Sequence, residues 1–166
     1  MNSIRNTRRK GSAAVEMALI FLPLTMAVLS TFELGRAMWI YHTLTSAIKT
    51  GARTASFYGS DCLAANPACP ATPASVASVI QGSGIGLEAA QLHLTLVADG
   101  ATYACGTLSQ CLTDQTQWPP TGHNTPGLSI TLSAVYSFHS VLSALWPGQG
   151  SVSVNYSAEA TDVIQF

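Results

Sequence analysis

The N-terminal part of the chain passes through three regimes of polarity. Met1 to Gly11 is polar and basic. An apolar run then opens at Ser12, carries Glu16 as its one acid, and has no charged residue from Met17 to Phe32. After Phe32 charge returns, but apolar positions persist at steps of three and four: Leu34, Met38, Tyr41, Leu44, Ile48, Ala52 and Ala55. That spacing marks one face of a helix, with Arg36, Lys49 and Arg53 off it. Glu33 and Arg36 stand three apart and can pair on its surface. The pattern predicts one long helix from about Ala13 to Phe57 or Tyr58, ended by Gly59-Ser60-Asp61.

Beyond this helix the period shortens to two. Leu92, Leu94 and Leu96 alternate with His93, Thr95 and Val97, which reads as a strand, and Asp99-Gly100 reads as a turn. Leu128, Ile130, Leu132, Ala134 and Tyr136 alternate with mostly Ser and Thr, giving a second strand. Val152, Val154, Tyr156 and Ala158 give a third. Asp61 to Thr72 reads as a loop. Pro73 opens a short helix to about Gln81 with Thr72 as N-cap, closed by the glycines from Gly82 to Gly86. Ala101 to Gly127 is loop-rich. Ser137 to Trp146 reads as a short helix or an irregular return closed by Pro147-Gly148. The expected fold class is α+β, a small antiparallel sheet packed on the long N-terminal helix.

The run Ser12–Phe32 is 21 residues, roughly 30 Å as a helix and about the hydrocarbon thickness of a bilayer. Pro23 lies inside it and removes one backbone hydrogen bond. Arg5, Arg8, Arg9 and Lys10 precede Gly11 and hold four of the seven basic residues. The positive-inside rule then places the N-terminus in the cytoplasm and the remainder outside, as a single-pass protein. Three organisations fit such a segment. A secretory signal would be shorter, with a small-residue cleavage site after the apolar region. A plain signal anchor fits the hydropathy. A prepilin-type signal, cut between Gly11 and Ser12, accounts for the glycine and the acid together and makes Glu16 the fifth residue of the mature chain.

Several blocks in this region carry a family resemblance. Lys10-Gly11-Ser12-Ala13-Ala14-Val15-Glu16-Met17-Ala18-Leu19, Leu22-Pro23-Leu24, Phe32-Glu33-Leu34-Gly35-Arg36-Ala37 and Gly51-Ala52-Arg53-Thr54-Ala55 occur in that order. Together they resemble the N-terminal pattern of TadE-like proteins. These are pseudopilins, or minor pilins, of the tight-adherence (Tad, or Flp) type IV pilus systems. The resemblance implies cleavage by a prepilin peptidase and residence in the inner membrane. It also implies partnership with other Tad pilins and the membrane assembly platform, in building an adhesive pilus. On that reading the chain divides into a leader (1–11), a transmembrane and extended helix (12–58) and an exported domain (59–166). The alternative is an uncleaved, signal-anchored exported domain acting as an adhesin or assembly factor.

Composition changes the picture in two ways. Charged residues make up 9% of the chain, against roughly 25% in an average soluble domain. Ser12 to Phe166 holds three basic residues against eight acids, a net of −5. An acidic domain has no electrostatic footprint for nucleic acid. The four cysteines, Cys62, Cys69, Cys105 and Cys111, all follow the apolar run, on the predicted oxidising side. Three pairings are open, and the simplest joins Cys62 to Cys69 and Cys105 to Cys111. Their spacing does not match the short Cys-x₂₋₄-Cys of structural zinc sites.

Catalytic chemistry is not expected. His42, His93, His123 and His139 are scattered, and neither G-x-S-x-G nor H-E-x-x-H occurs. No metal and no cofactor is expected. Glu16 carries the physical leverage instead, because a carboxylate in lipid costs several kcal/mol, or protonates, unless it is neutralised. Cleavage after Gly11 would create its partner, the α-ammonium of Ser12. Trp118-Pro119-Pro120 and Trp146-Pro147 read as packing corners.

Overall fold

The computed structural model describes residues 3–65, 69, 72–142 and 153–165, with side chains from Ser12 onward except those of Leu63 and Ala65. Helix α1 runs unbroken from Ser3 to Ala55, through Pro23 and through the junction at Gly11. It starts ten residues before the predicted Ala13 and ends close to the predicted position. Three short helices follow: α2 (Ser60–Ala65), α3 (Pro73–Ser83) and α4 (Leu108–Cys111). The strands are β1 (Leu92–Ala98), β2 (Ala101–Ala104), β3 (Ser129–His139) and β4 (Ser153–Val163). The architecture is α+β: the upper part of α1 lies across β3 and β4 on one face of a four-stranded antiparallel sheet, and α3 packs on α1.

The sheet order is β2-β1-β3-β4. Leu94 faces Ala134 and Leu96 faces Leu132 across β1 and β3, so the apolar sets of neighbouring strands share one face. On that face Leu92, Leu94, Leu96, Ile130, Leu132 and Ala134 are fully buried, while His93 and Val135 point to solvent. β4 is an edge strand that buries little beyond Ala158. Its small residues sit where α1 crosses it.

Local signals account for most boundaries. Asp99 (φ 45°) and Gly100 (φ 81°) both take left-handed backbone, as a two-residue hairpin turn between β1 and β2 requires. Thr72 caps α3: its side chain accepts from Ser75 N, and Ser75 reaches back to Thr72 N. Pro73 occupies the first turn, where its missing N–H costs nothing.

Three expectations are corrected. The region from Ala101 to Gly127 is not all loop, since β2 and α4 lie within it, and α2 occupies part of the predicted 61–72 loop. These elements are four to six residues long, too short to show a period. The second strand does not stop at Tyr136 but continues to His139, pairing with the start of β4. Trp146, Pro147 and Val152 lie outside the described residues.

The third correction concerns the face of α1. The buried residues are Ile40, Leu44, Ala47, Ile48, Gly51, Ala52 and Ala55. Leu34, Met38 and Tyr41 are 64%, 53% and 44% exposed and lie off the core. At that height the domain touches only one flank of the helix. Arg36, expected off the packed face, points into the domain instead.

Candidate membrane and assembly helix

Below the domain α1 has no neighbour among the described residues. Val15, Met17, Leu19, Ile20, Phe21, Leu22, Leu24 and Phe32 are each at least 60% exposed. The apolar stretch is long enough to cross a membrane, and none of it is buried inside the fold. A soluble protein would not present so large an apolar surface to water. Its polar groups are satisfied within the helix: Thr25 Oγ1 donates to the Phe21 carbonyl (2.8 Å) and Thr31 Oγ1 to the Ala27 carbonyl (2.9 Å). Pro23 leaves the Leu19 carbonyl without its helical donor.

Glu16 is exposed on this surface, one turn beyond Ser12. The Ser12 hydroxyl donates to Glu16 Oε1 over 3.4 Å. The first residue after the Gly11–Ser12 bond therefore already lies beside the one acid of the span. Arg5, Arg8, Arg9, Lys10 and Gly11 belong to α1 by backbone, and their side chains lie outside the described residues.

At the upper end of the span the helix meets the domain through charge. The Glu33 side chain is only 12% exposed and stands 3.8 Å from Arg36 Nε. Glu33 Oε2 and Arg36 Nε are buried without a hydrogen bond, so the pair is held by proximity and not by ideal geometry. Arg36 Nη2 donates to the His139 carbonyl at the end of β3. Its guanidinium also covers the Phe138 ring. Sequence spacing could not reveal this cluster, because it joins residues 103 positions apart.

The cysteines pair locally, Cys62 with Cys69 and Cys105 with Cys111. Trp118 is a packing corner, 2% exposed in the core. Of the histidines, His123 stands 3.5 Å from Asp99 and His93 Nδ1 meets the Gly106 carbonyl. Among the described residues no group of three or more His, Cys, Asp or Glu side chains could hold a metal ion.

Fold and helix together define a protein with one apolar N-terminal helix of membrane-spanning length and a disulfide-stapled α+β domain. A family model described as TadE-like protein matches residues 11–53. That stretch begins at Gly11 and closes inside the part of α1 buried in the domain, so the similarity covers the apolar helix and not the sheet domain. The match connects it to the Tad pilus system and fits a single-pass membrane protein. No curated protein and no solved structure matches the chain.

Proposed function

We propose that this protein is a minor pilin or pseudopilin of a Tad-type pilus, cut by a prepilin peptidase between Gly11 and Ser12. The observation that carries the reading is the TadE-like match over 11–53, which begins at that glycine and covers the exposed apolar helix. The mature helix sits in the inner membrane with the basic leader on the cytoplasmic side, and the disulfide-bonded domain stands outside. Its role is structural, not enzymatic. It contributes to pilus assembly or structure, and so to surface attachment, through lateral packing with other Tad pilins and the assembly platform.

Glu16 has a defined task in this scheme. Cutting the bond before Ser12 creates an ammonium one turn from the carboxylate, where Ser12 and Glu16 already touch. Paired within the chain or with a neighbouring subunit, the two charges cancel in lipid and set the axial register of assembly.

The test is intact mass and N-terminal sequence of the protein from membranes with and without the peptidase. A mature chain starting at Ser12 only when the peptidase is present is the expected result. A chain keeping Arg8-Arg9-Lys10-Gly11 in both leaves a signal-anchored domain and removes the assembly role.

A further inference from the structure

Among the described residues, the end of the domain nearest the apolar helix is itself apolar and exposed. Ile85 stands 72% exposed in the loop after α3, and Trp39 is 62% exposed on α1. Both line one shallow depression with Ser83 and His42. At the same end of the sheet Val141 is 61% exposed just after β3, and Val154 is 44% exposed near the start of β4. Val154 is level with Phe138, which Arg36 covers. Tyr41 packs edge-on against Tyr156, the next inward residue of β4. These side chains lie at the end of the domain from which α1 leaves, within about two turns of helix.

We infer that this collar seats the domain on the lipid headgroups of the membrane that α1 spans. The inference rests on the membrane-spanning reading of the helix and does not depend on cleavage or on pilus assembly. Three observations favour a bilayer over another occupant. The collar is continuous with the exposed apolar surface of the span. Trp39 lies seven residues past Phe32, about 10 Å of helix, a few ångströms beyond the headgroup layer where Trp and Tyr concentrate, and helical side chains lean back toward the N-terminus and so toward that layer. Charge is distributed to match. Arg36 and Glu33 neutralise each other at this end, so α1 presents no uncompensated acid there.

The acids are mostly elsewhere. Asp99 sits at the hairpin turn, bonded through its N–H to Ser129 at the start of β3. Asp162 pairs with Ile130 near the same end, and Asp61 follows the far end of α1. Glu88, three residues past Ile85, is the exposed acid on the collar side, and Gln91 Nε2 donates to it over 2.7 Å. Headgroups bearing negative charge therefore meet an end with fewer exposed acids than the hairpin end, where Asp99 and Asp162 lie.

The test uses the full chain with both disulfides intact, in nanodiscs of mixed phosphatidylethanolamine and phosphatidylglycerol. Nitroxide labels are placed one at a time through Leu22→Cys, Ile85→Cys and Thr125→Cys. Ile85 and Thr125 are exposed loop positions, so their substitution spares the core. Collision rates with oxygen and with a water-soluble nickel chelate report depth. The expected result is an oxygen-to-nickel ratio at Ile85 several-fold above that at Thr125 and below that at Leu22. A ratio at Ile85 equal to that at Thr125, with Leu22 deep in lipid, overturns the collar and leaves the span intact. Ile85 shielded from both reagents, with spin–spin broadening, assigns the collar to a second copy and also overturns it. Leu22 as water-accessible as Thr125 overturns the spanning reading and the collar with it.

Discussion

The guanidinium of Arg36 lies 4.5 Å above the centre of the Phe138 ring. This contact, with the bond to the His139 carbonyl, fastens the point where α1 leaves the domain to the end of β3. A partly exposed cation–π contact of this kind contributes roughly 0.5–1 kcal/mol. A double-mutant cycle of Arg36→Ala and Phe138→Leu should return a coupling of that size, read from denaturant unfolding of the full chain in detergent. Additive effects would mean the two residues merely sit near each other.

Gly51 is a close approach of α1 to its neighbours. A Cβ there would lie 2.6 Å from Ile80 Cγ1 and 3.3 Å from Leu132 Cδ2. Overpacking of this sort costs about 1–3 kcal/mol, while relief of glycine's helical penalty returns only roughly 0.5–1 kcal/mol. Gly51→Ala should therefore lower the unfolding midpoint. Gly35 has nothing within 4 Å of the same atom, so Gly35→Ala should raise it slightly. A reversed order in thermal unfolding would contradict this packing.

Glu16 touches only Ser12 among the described contacts and is exposed. Its replacement should leave the folded domain's unfolding midpoint unchanged. Under the proposed function, Glu16→Ala and Glu16→Gln should each reduce recovery of the protein with assembled pili by about tenfold, equivalent to roughly 1.4 kcal/mol. Quantitative immunoblotting of sheared pilus fractions reads this directly, and wild-type recovery from either variant would rule the charge pairing out.

Each disulfide closes a short loop, with sequence separations of seven and six. Restriction of the unfolded chain should contribute about 2–3 kcal/mol per bond. Replacing Cys105 and Cys111 together with Ala should cost at least that much, because Cys111 is also fully buried. The Cys62/Cys69 replacement should cost less, since Cys62 is half-exposed. Equal losses in denaturant titrations would show that burial adds nothing to the loop term.

Much of this arrangement was legible in the residues. Strict alternation at Leu92–Leu96 and Leu128–Tyr136 reports burial on one sheet face, and Asp99-Gly100 and Thr72-Pro73 carry turn and cap chemistry that acts locally. What escaped is set by tertiary contact. Arg36 reads as a surface charge by helical spacing, yet Phe138 and His139 draw it inward. Gly51 is a poor hydrophobic signal, yet its small size lets Ile80 of α3 and Leu132 of β3 reach the helix. β2 is four residues long with Tyr103 half-buried, too brief to display a period. Of the proposed site, Glu16 and the Gly11 junction stood out as breaks in a pattern, whereas Ile85 looked like an ordinary loop residue.

Pro23 lies inside α1, in the part of the helix below the domain. A pull along α1 loads its hydrogen bonds in series, and a chain loaded in series yields first at its weakest rung. That rung is the missing bond at Leu19, so the span should behave as a tether with a built-in point of give. Single-molecule pulling between the leader and the domain should show an early lengthening that Pro23→Ala abolishes, while the sheet, held by Gly51 and Arg36 above, stays folded.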